Sequence, residues 1–229
     1  MRLRARNLEA KGGLETLKAT NTVRMTGRFK TQAGDMPMTT FAKRPNLVRR
    51  EAELTPPAPQ GAPSGQTPPK QKMISASDGR TVWVKVGASS PQEVPAGQAE
   101  DMRNDAAEFD SIFVDYKQKG HKIELVGKET KDGKAQYHLK VTRRNGPVQH
   151  YYLDAETGLE SKIITDVDQN GMKLTVETEL GDYRKVEGRM VPFRTKQSTN
   201  GQIAAEMNIE TIEFNLPLDD SLFRFPPPK

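Results

Sequence analysis

The sequence predicts a mainly β protein with a few α-helices, built on a single curled antiparallel sheet. Segments in which apolar and polar residues alternate recur along the chain, as in strands with one buried and one solvated face. Dipeptides that favour tight turns separate these segments, so neighbouring strands are expected to be antiparallel. Of the 229 residues, 34% are hydrophobic, which is few for a large solid core. Their regular spacing nevertheless excludes a disordered chain.

The N-terminal segment, residues 1–19, predicts a weakly amphipathic helical region. Three leucines form a thin apolar stripe in it, which Gly12-Gly13 interrupts. Met1–Arg6 is basic but is not followed by the apolar run of an export signal. The protein is therefore expected either to be cytosolic or to be a mature segment with a new start.

From Thr22 the hydrophobic period changes to two, and about twelve candidate strands follow. They begin near residues 22, 37, 46, 71, 80, 121, 135, 147, 159, 172, 189 and 202. Pairing about the turn at 170–171 places Val167 opposite Leu174. A sheet of this length must curl because strand twist accumulates. We therefore expect a half-open β-barrel of about 11–12 strands with an apolar concave face.

A second turn, at 145–146, predicts how the central hairpin pairs. Pairing about this dipeptide places Leu139 opposite Tyr152, so that His150 lies on the apolar face. His138 has the opposite parity in this register and points to the other side. The hairpin is therefore not expected to form a site that contains both histidines.

Helical segments are expected to cover the concave face. Apolar residues recur at helical spacing within residues 98–118, which predicts a helical lid segment. Two helical segments are few for so much sheet, so the concave surface is expected to stay partly open. Residues 55–70 form a Pro/Gly-rich loop insertion, read as a plain exposed loop or as a docking site for a partner. The whole chain, 1–229, is expected to be one domain.

Several chemistries find no support in the sequence. The chain has no cysteine, which excludes disulfides, thiol catalysis and cysteine-based metal sites. It has only three histidines, none at a metal-binding spacing, and it carries no nucleotide-binding motif. We therefore expect no enzymatic activity, no cofactor and no metal.

The net charge of +5 is spread over interleaved acidic and basic residues, so nucleic acid is not an expected partner. We expect a monomer.

Two motifs resemble those of a known family. Phe41–Arg49 contains the run Lys-Arg-Pro-Asn, and Ser77–Val84 contains Ser-Asp-Gly-x-Thr-x-Trp. Together they resemble the paired signature of the LolA-type outer-membrane lipoprotein-sorting proteins, and the chain is identified as a distant member of this LolA/LolB-like superfamily. The similarity extends over most of the chain, including Tyr151–Leu159 and Pro217–Asp220.

The resemblance implies a carrier that binds acyl chains of lipoproteins or other lipids in an apolar cavity. Such a protein works in the periplasm, between membrane-bound donor and acceptor proteins, and sorts cargo to the outer membrane. The export signal is then expected to have been removed. Arg44 matches the family's strand-end arginine and is the gate candidate, and Trp83 matches a wall or core residue. The alternatives are a sensor or regulatory binding module on the same fold and, third, a small enzyme.

The site predicted on this basis has a wall and a lid. Its wall is lined by apolar residues of one parity, namely Val23, Met25, Phe29, Met38, Ile123, Leu125, Leu139, Ile163, Leu174, Val176 and Met207. Its lid consists of Phe109, Ile112, Phe113 and Tyr116. Methionines in the wall suit either an adaptable lining or gap-filling in a solid core. His150 is a candidate contact for a lipid headgroup, the alternative being a hydrogen bond to Tyr152 or to the backbone.

Overall fold

A computed structural model of the chain describes residues 2–32, 34–56, 68–108, 110–131, 133–169 and 172–226. Three α-helices lie within them: α1 (Arg2–Ala10), α2 (Leu14–Lys18) and α3 (Ala96–Ala106). The same residues form the strands β1 (Thr22–Thr31), β2 (Gly34–Lys43), β3 (Leu47–Leu54), β4 (Gln71–Ser77), β5 (Val82–Val86), β6 (Gln92–Glu93), β7 (Lys122–Lys131), β8 (Lys134–Thr142), β9 (Val148–Asp154), β10 (Glu160–Gln169), β11 (Met172–Val186), β12 (Arg189–Thr199) and β13 (Gln202–Phe214). A short 3₁₀ helix at Asp220–Leu222 follows β13.

The thirteen described strands form one antiparallel sheet that is not closed. Their order in the sheet is β6-β5-β4-β3-β2-β1-β13-β12-β11-β10-β9-β8-β7. The predicted mainly β, antiparallel class is therefore confirmed. The strand that the sequence did not predict, β6, has only two residues and thus no alternation to detect. The predicted curl and the predicted helical cover of a concave face stay predictions.

The chain divides into two compact units. One consists of Met1–Thr20, Lys30–Gly34 and Asp110–Glu210, and here it is termed the first unit. The second unit consists of Asn21–Phe29, Asp35–Phe109 and Thr211–Lys229. The expectation of a single domain over residues 1–229 stays a prediction, and the two units are described separately.

The core of the first unit lies where α1 and α2 pack on one face of β8 and β9. The apolar residues buried there come from the helices, from the turns after Asp110 and from the two strands. They are Leu8, Leu17, Ile112, Phe113, Val114, Leu139, Val141, Tyr151 and Leu153. The ring of Phe113 meets that of Tyr151 edge-on, with 5.3 Å between the centroids. This face of the sheet is therefore filled by protein side chains in its central part.

The predicted helix over residues 98–118 is shorter than expected. The helix α3 ends at Ala106, and residues 112–120 form consecutive turns. The Asp110 carboxylate accepts a hydrogen bond from the Ser111 N–H at 2.8 Å, and the Ser111 hydroxyl accepts one from the Phe113 N–H at 3.2 Å. Such side chains compete with helical hydrogen bonds. Asp115 then adopts a φ of 48°, which a right-handed helix does not allow.

The predicted register of the β8–β9 hairpin is wrong by one residue. Leu139 pairs with Tyr151 and not with Tyr152, while the other predicted pair, Val167 with Leu174, is confirmed. The connection after Thr142 has five residues, not two, because the ladder restarts only at Val148. Pro147, next to it, has no N–H to donate to a ladder. A slip of one residue exchanges the two faces of the sheet.

The second unit has its own core around Trp83 of β5. The indole is almost fully buried, and its N–H donates to the Phe223 carbonyl at 2.9 Å. Arg49 of β3 donates to the Leu222 carbonyl at 2.8 Å and places its guanidinium 5.7 Å from the centre of the Trp83 ring. The helix α3 contacts β4 and β5. These hydrogen bonds attach Leu222 and Phe223 to β3 and β5.

The Pro/Gly-rich insertion connects β3 to β4. Residues 57–67 of this predicted loop lie outside the described residues. The described helices include none that is both long enough and apolar enough to cross a lipid bilayer.

Candidate functional site

Seven of the predicted wall residues belong to the first unit, and the strand register places them on one face of the sheet. They are Ile123, Leu125, Leu139, Ile163, Leu174, Val176 and Met207. Leu8 of α1 and Leu17 of α2 pack in the core cluster that contains Leu139 of this face. Their environments differ: Leu139 is buried in the core, Ile123 and Ile163 pack against it, and Leu125 is 59% exposed.

The other four wall residues belong to the second unit. Val23 in β1 is buried, whereas Met25 and Phe29 in the same strand and Met38 in β2 are half-buried. That these four residues line a lipid-binding site stays a prediction.

The two residues carried over from the family motifs also lie in the second unit. Arg44 is half-buried in the turn after β2, and its backbone N–H donates to the Asn21 carbonyl at 2.9 Å. Trp83 lies in the core described above. The gating role of Arg44 stays a prediction.

The predicted lid residues have different environments. Ile112 and Phe113 are buried in the core of the first unit, with 5% and 0% of their surface exposed. Tyr116 is half-buried, and its ring lies 5.2 Å from the Arg4 guanidinium carbon. Phe109 lies outside the described residues. Two of these side chains therefore serve as packing between the helices and the sheet.

An open groove remains in the first unit, between the start of α1 and the strands β7 and β8. Its volume is about 340 Å³, at the lower end of the range for ligand pockets. Its lining consists of Arg2, Leu3, Arg4, Ile123, Leu125 and Leu139. Half of these residues are predicted wall residues, and most of the lining surface is apolar. In this groove, part of the predicted apolar wall is accessible from outside the protein.

Exposed apolar side chains continue from the groove along β7. Leu125 is 59% exposed and its neighbour Val126 is 56% exposed. A β-bulge lies between Leu125 and Gly127, and such an irregularity redirects the side chains that follow it. Large apolar residues exposed next to an apolar groove are typical of a site that a ligand or partner covers.

The helix α1 forms one side of the groove and is held in place from its other end. The buried Asn7 amide donates to the Gly158 carbonyl at 2.9 Å, and Arg6 donates to the Glu156 carbonyl at 2.6 Å. Just after the helix, Lys11 forms an ion pair of 3.0 Å with the buried Glu160. These contacts attach α1 to the β9–β10 connection and to the first residue of β10.

Three lining residues, Arg2, Leu3 and Arg4, were not predicted from the sequence. The apolar stripe assigned to the N-terminal helix included Leu8 but not Leu3. The detectable signal was a leucine flanked by two arginines at the start of a helical segment, a pattern that an ordinary surface helix also shows.

The opposite face of β8–β10 carries a polar cluster that the predicted register had separated. His138 Nε2 and His150 Nδ1 are 2.7 Å apart, and the His138 ring stacks on Tyr152 with centroids 4.6 Å apart. The Lys162 ammonium lies 4.5 Å from the centre of the Tyr152 ring. His150 therefore faces away from the apolar groove, and its predicted role as a headgroup contact in the cavity is not supported by this register.

Two members of this cluster, His138 and Lys162, have lowered pKa values. Desolvation, followed by the charge of His150, lowers the pKa of His138 below its ordinary value. Desolvation also lowers the pKa of Lys162. Among the described residues, no group of three or more His, Asp or Glu side chains could hold a metal ion.

Comparison with solved structures identifies the fold. The chain superposes on a LolA superfamily protein from Nitrosomonas europaea with a TM-score of 0.60, at 13% identity, covering 97% of this chain and 96% of that one. A domain assigned to outer membrane lipoprotein sorting from Vibrio parahaemolyticus gives 0.56 at 14% identity, covering 96% and 97%. A DUF1329 family protein from Desulfovibrio piger gives 0.60 at 12% identity, covering 97% and 96%.

These similarities show the fold alone, because the identities are low. Neither the protein-family models nor the curated protein sequences give a significant match to the chain. The protein thus has a LolA-like fold along nearly its whole length. The resemblance to LolA-type proteins that the motifs near Arg44 and Trp83 indicate is therefore confirmed for the fold.

Proposed function

We propose that this protein binds a single acyl chain of a lipid or lipoprotein in the groove between α1 and the β7–β8 hairpin and carries it through the periplasm. The observation that carries the proposal is the open apolar groove itself, with Leu3, Ile123, Leu125 and Leu139 in its lining. The LolA-like fold supports it, since one protein of that fold is assigned to lipoprotein sorting.

The size of the groove favours one chain over several. Burial of each methylene contributes about 0.8 kcal/mol, so about ten methylenes give on the order of 8 kcal/mol before the costs of association. A groove of about 340 Å³ has little room for more chains than one. Such an affinity allows transport and still permits release.

In its cell the carrier would receive cargo from a membrane-bound donor and deliver it to an acceptor at the outer membrane. It would act as a monomer and without a chemical step, because neither burial nor release of an acyl chain requires one. Arg44 would act as a gate, as the family motif implies.

The test is a substitution on the exposed side of the groove. Leu125→Glu places a carboxylate where the acyl chain would lie, and we expect at least tenfold weaker binding because the charge must be desolvated on contact with the chain. Binding is measured by fluorescence titration with an NBD-labelled lysophosphatidylcholine, which carries one acyl chain. Native mass spectrometry of the protein purified from a lipid-containing host provides a second measurement.

Ile203→Glu is the matched control. Ile203 is 57% exposed, close to the exposure of Leu125, but it lies in β13 and does not line the groove. This variant should bind like the wild type. Equal binding by all three proteins would exclude the groove as the site, and no binding by the wild type would refute the proposed function.

A further inference from the structure

The groove carries positive charge on the side formed by α1. Arg2 and Arg4 belong to its lining, and α1 has a third arginine, Arg6, against a single acidic residue, Glu9. In the part of the chain that the structure describes, neither Arg2 nor Arg4 forms an ion pair with a carboxylate. Among the described residues, no carboxylate therefore pairs with the positive charge beside the apolar lining.

Arg4 is held in a fixed position by its neighbours. Its guanidinium donates to the Phe113 carbonyl at 3.3 Å and lies 5.2 Å from the centre of the Tyr116 ring. The Nε atom of Arg4 is buried and has no hydrogen-bond partner among the described residues. A guanidinium that packs its face on an aromatic ring keeps N–H donors on its edge for an anion.

A second cavity, lined by polar and charged residues, shares Arg4 with the groove. Its volume is about 200 Å³, and Asp115, Tyr116, Lys117 and Gln118 line it together with Arg4. The Asp115 carboxylate is already paired with Lys18 at 2.8 Å. Lys117 thus contributes a second cation beside Arg4 in this cavity, and Arg4 also lines the apolar groove.

From this arrangement we infer that the groove selects an anionic amphiphile with one acyl chain. The chain lies on Leu3, Ile123 and Leu125, and the acidic headgroup, a phosphate or a carboxylate, binds Arg4 with Arg2 and Lys117 close by. Hydrogen bonds from a guanidinium to such an anion are charge-assisted and stronger than those between neutral groups. The inference rests on the proposed function, because it specifies the cargo of the same groove.

The experiment compares two lipids that have the same acyl chain and differ in net charge. Lysophosphatidylglycerol is anionic and lysophosphatidylcholine is zwitterionic, and each competes with the NBD-labelled probe for the wild-type protein at low salt. We expect the anionic lipid to bind about tenfold tighter, with the preference decreasing as the ionic strength rises.

The double variant R2Q/R4Q tests which residues cause this preference. It should bind the two lipids with equal affinity, and it should bind lysophosphatidylglycerol more weakly than the wild type does. A matched control, Arg28→Gln, removes an exposed arginine of the second unit and should keep the full preference. Circular dichroism establishes that each variant is folded, and Arg4→Lys, which keeps the charge but not the planar donors, should keep part of the preference.

The outcomes separate the inference from the proposed function. Equal affinity of the wild type for both lipids would overturn the inference and leave the proposed function intact, whereas binding of neither lipid would overturn both. A preference that survives in R2Q/R4Q would also overturn the assignment of the headgroup to these arginines. Inorganic phosphate should not displace the probe at concentrations where lysophosphatidylglycerol saturates the protein, and equal competition would indicate a site for free anions.

Discussion

At the scale of single residues, Glu160 of the first unit is a buried carboxylate with several partners. Burial of its carboxylate is the largest influence and would by itself raise its pKa. The charge and hydrogen bond of Lys11 at 3.0 Å, together with hydrogen bonds from the backbone and from Asn7, outweigh burial, so the pKa of Glu160 is lowered. The Tyr183 hydroxyl donates to the Glu160 carbonyl oxygen at 2.8 Å, and burial raises the pKa of Tyr183. Together these contacts fasten the end of α1 to β10.

Removing the cation from this pair should destabilise the protein strongly. Lys11→Met leaves the buried Glu160 carboxylate without its counter-ion, and we expect the free energy of unfolding to fall by about 3 kcal/mol. The control is Lys18→Met, because Lys18 and Asp115 form a more exposed pair that contributes at most about 1 kcal/mol. Urea denaturation measures both. Equal losses in the two variants would mean that the Glu160 pair is no stronger than a surface pair.

A second residue-scale prediction concerns pH. The pKa of His138 is lowered from 6.5, so the folded state binds fewer protons than the unfolded state just below that pH. Stability should therefore decrease as the pH falls below about 6.5. The charged and titratable groups around His138 are His150, Glu129, Lys162 and Tyr152.

The measurement is the urea midpoint as a function of pH. Between pH 7.5 and pH 5 the wild type should lose stability, and His138→Gln should lose less, because its side chain does not titrate. The pKa values of Glu51, Asp154 and Glu160 are lowered from ordinary values of 4.5 or less. These carboxylates therefore change the stability mainly below this pH interval. Identical pH profiles for the two proteins would contradict the assignment to His138.

At the scale of elements, the turns that follow Asp110 decide whether the predicted lid can move. Phe113 is fully buried between the helices and β9, a position typical of a core residue. A movable lid would expose this ring to water each time it opened. The free energy required would be similar to that lost when the ring is removed from the core. The groove at β7 is already open while these turns stay in place.

Substitution of this ring distinguishes the two roles. Phe113→Ala should lower the free energy of unfolding by about 3–5 kcal/mol, because it leaves a cavity in the core. Tyr116→Ala removes a half-buried ring outside the buried core cluster, so it should cost much less. Thermal and urea denaturation measure both. A small loss for Phe113→Ala together with faster lipid exchange would instead favour a mobile lid.

The hairpins show which local features can be predicted. At residues 170–171 the turn dipeptide sits midway between two alternating runs, so pairing Val167 with Leu174 was correct. At residues 143–147 the Asn-Gly pair lies inside a longer connection, and the register shifted by one. That single shift brought His138 and His150 together on the polar face.

At the scale of the whole molecule, the thirteen described strands and their antiparallel order resemble solved LolA-like structures at 12–14% identity. The fold therefore tolerates almost complete replacement of its residues, as long as alternation and turns are kept. Proteins that share this fold at such low identity need not share a binding site. The ligand that the groove of this chain would bind therefore depends on this chain's own residues.

The sequence by itself determined the fold class, the positions of most strands and the shared face of Ile123, Leu125 and Leu139. These features depend on a period of two and on turn residues, which are local properties of the chain. Only the tertiary structure decided that Phe113 fills the central face while Leu3 and Arg4 border an open groove. Which part of an apolar face is filled depends on contacts between residues far apart in the chain, and local periodicity carries no information on those contacts.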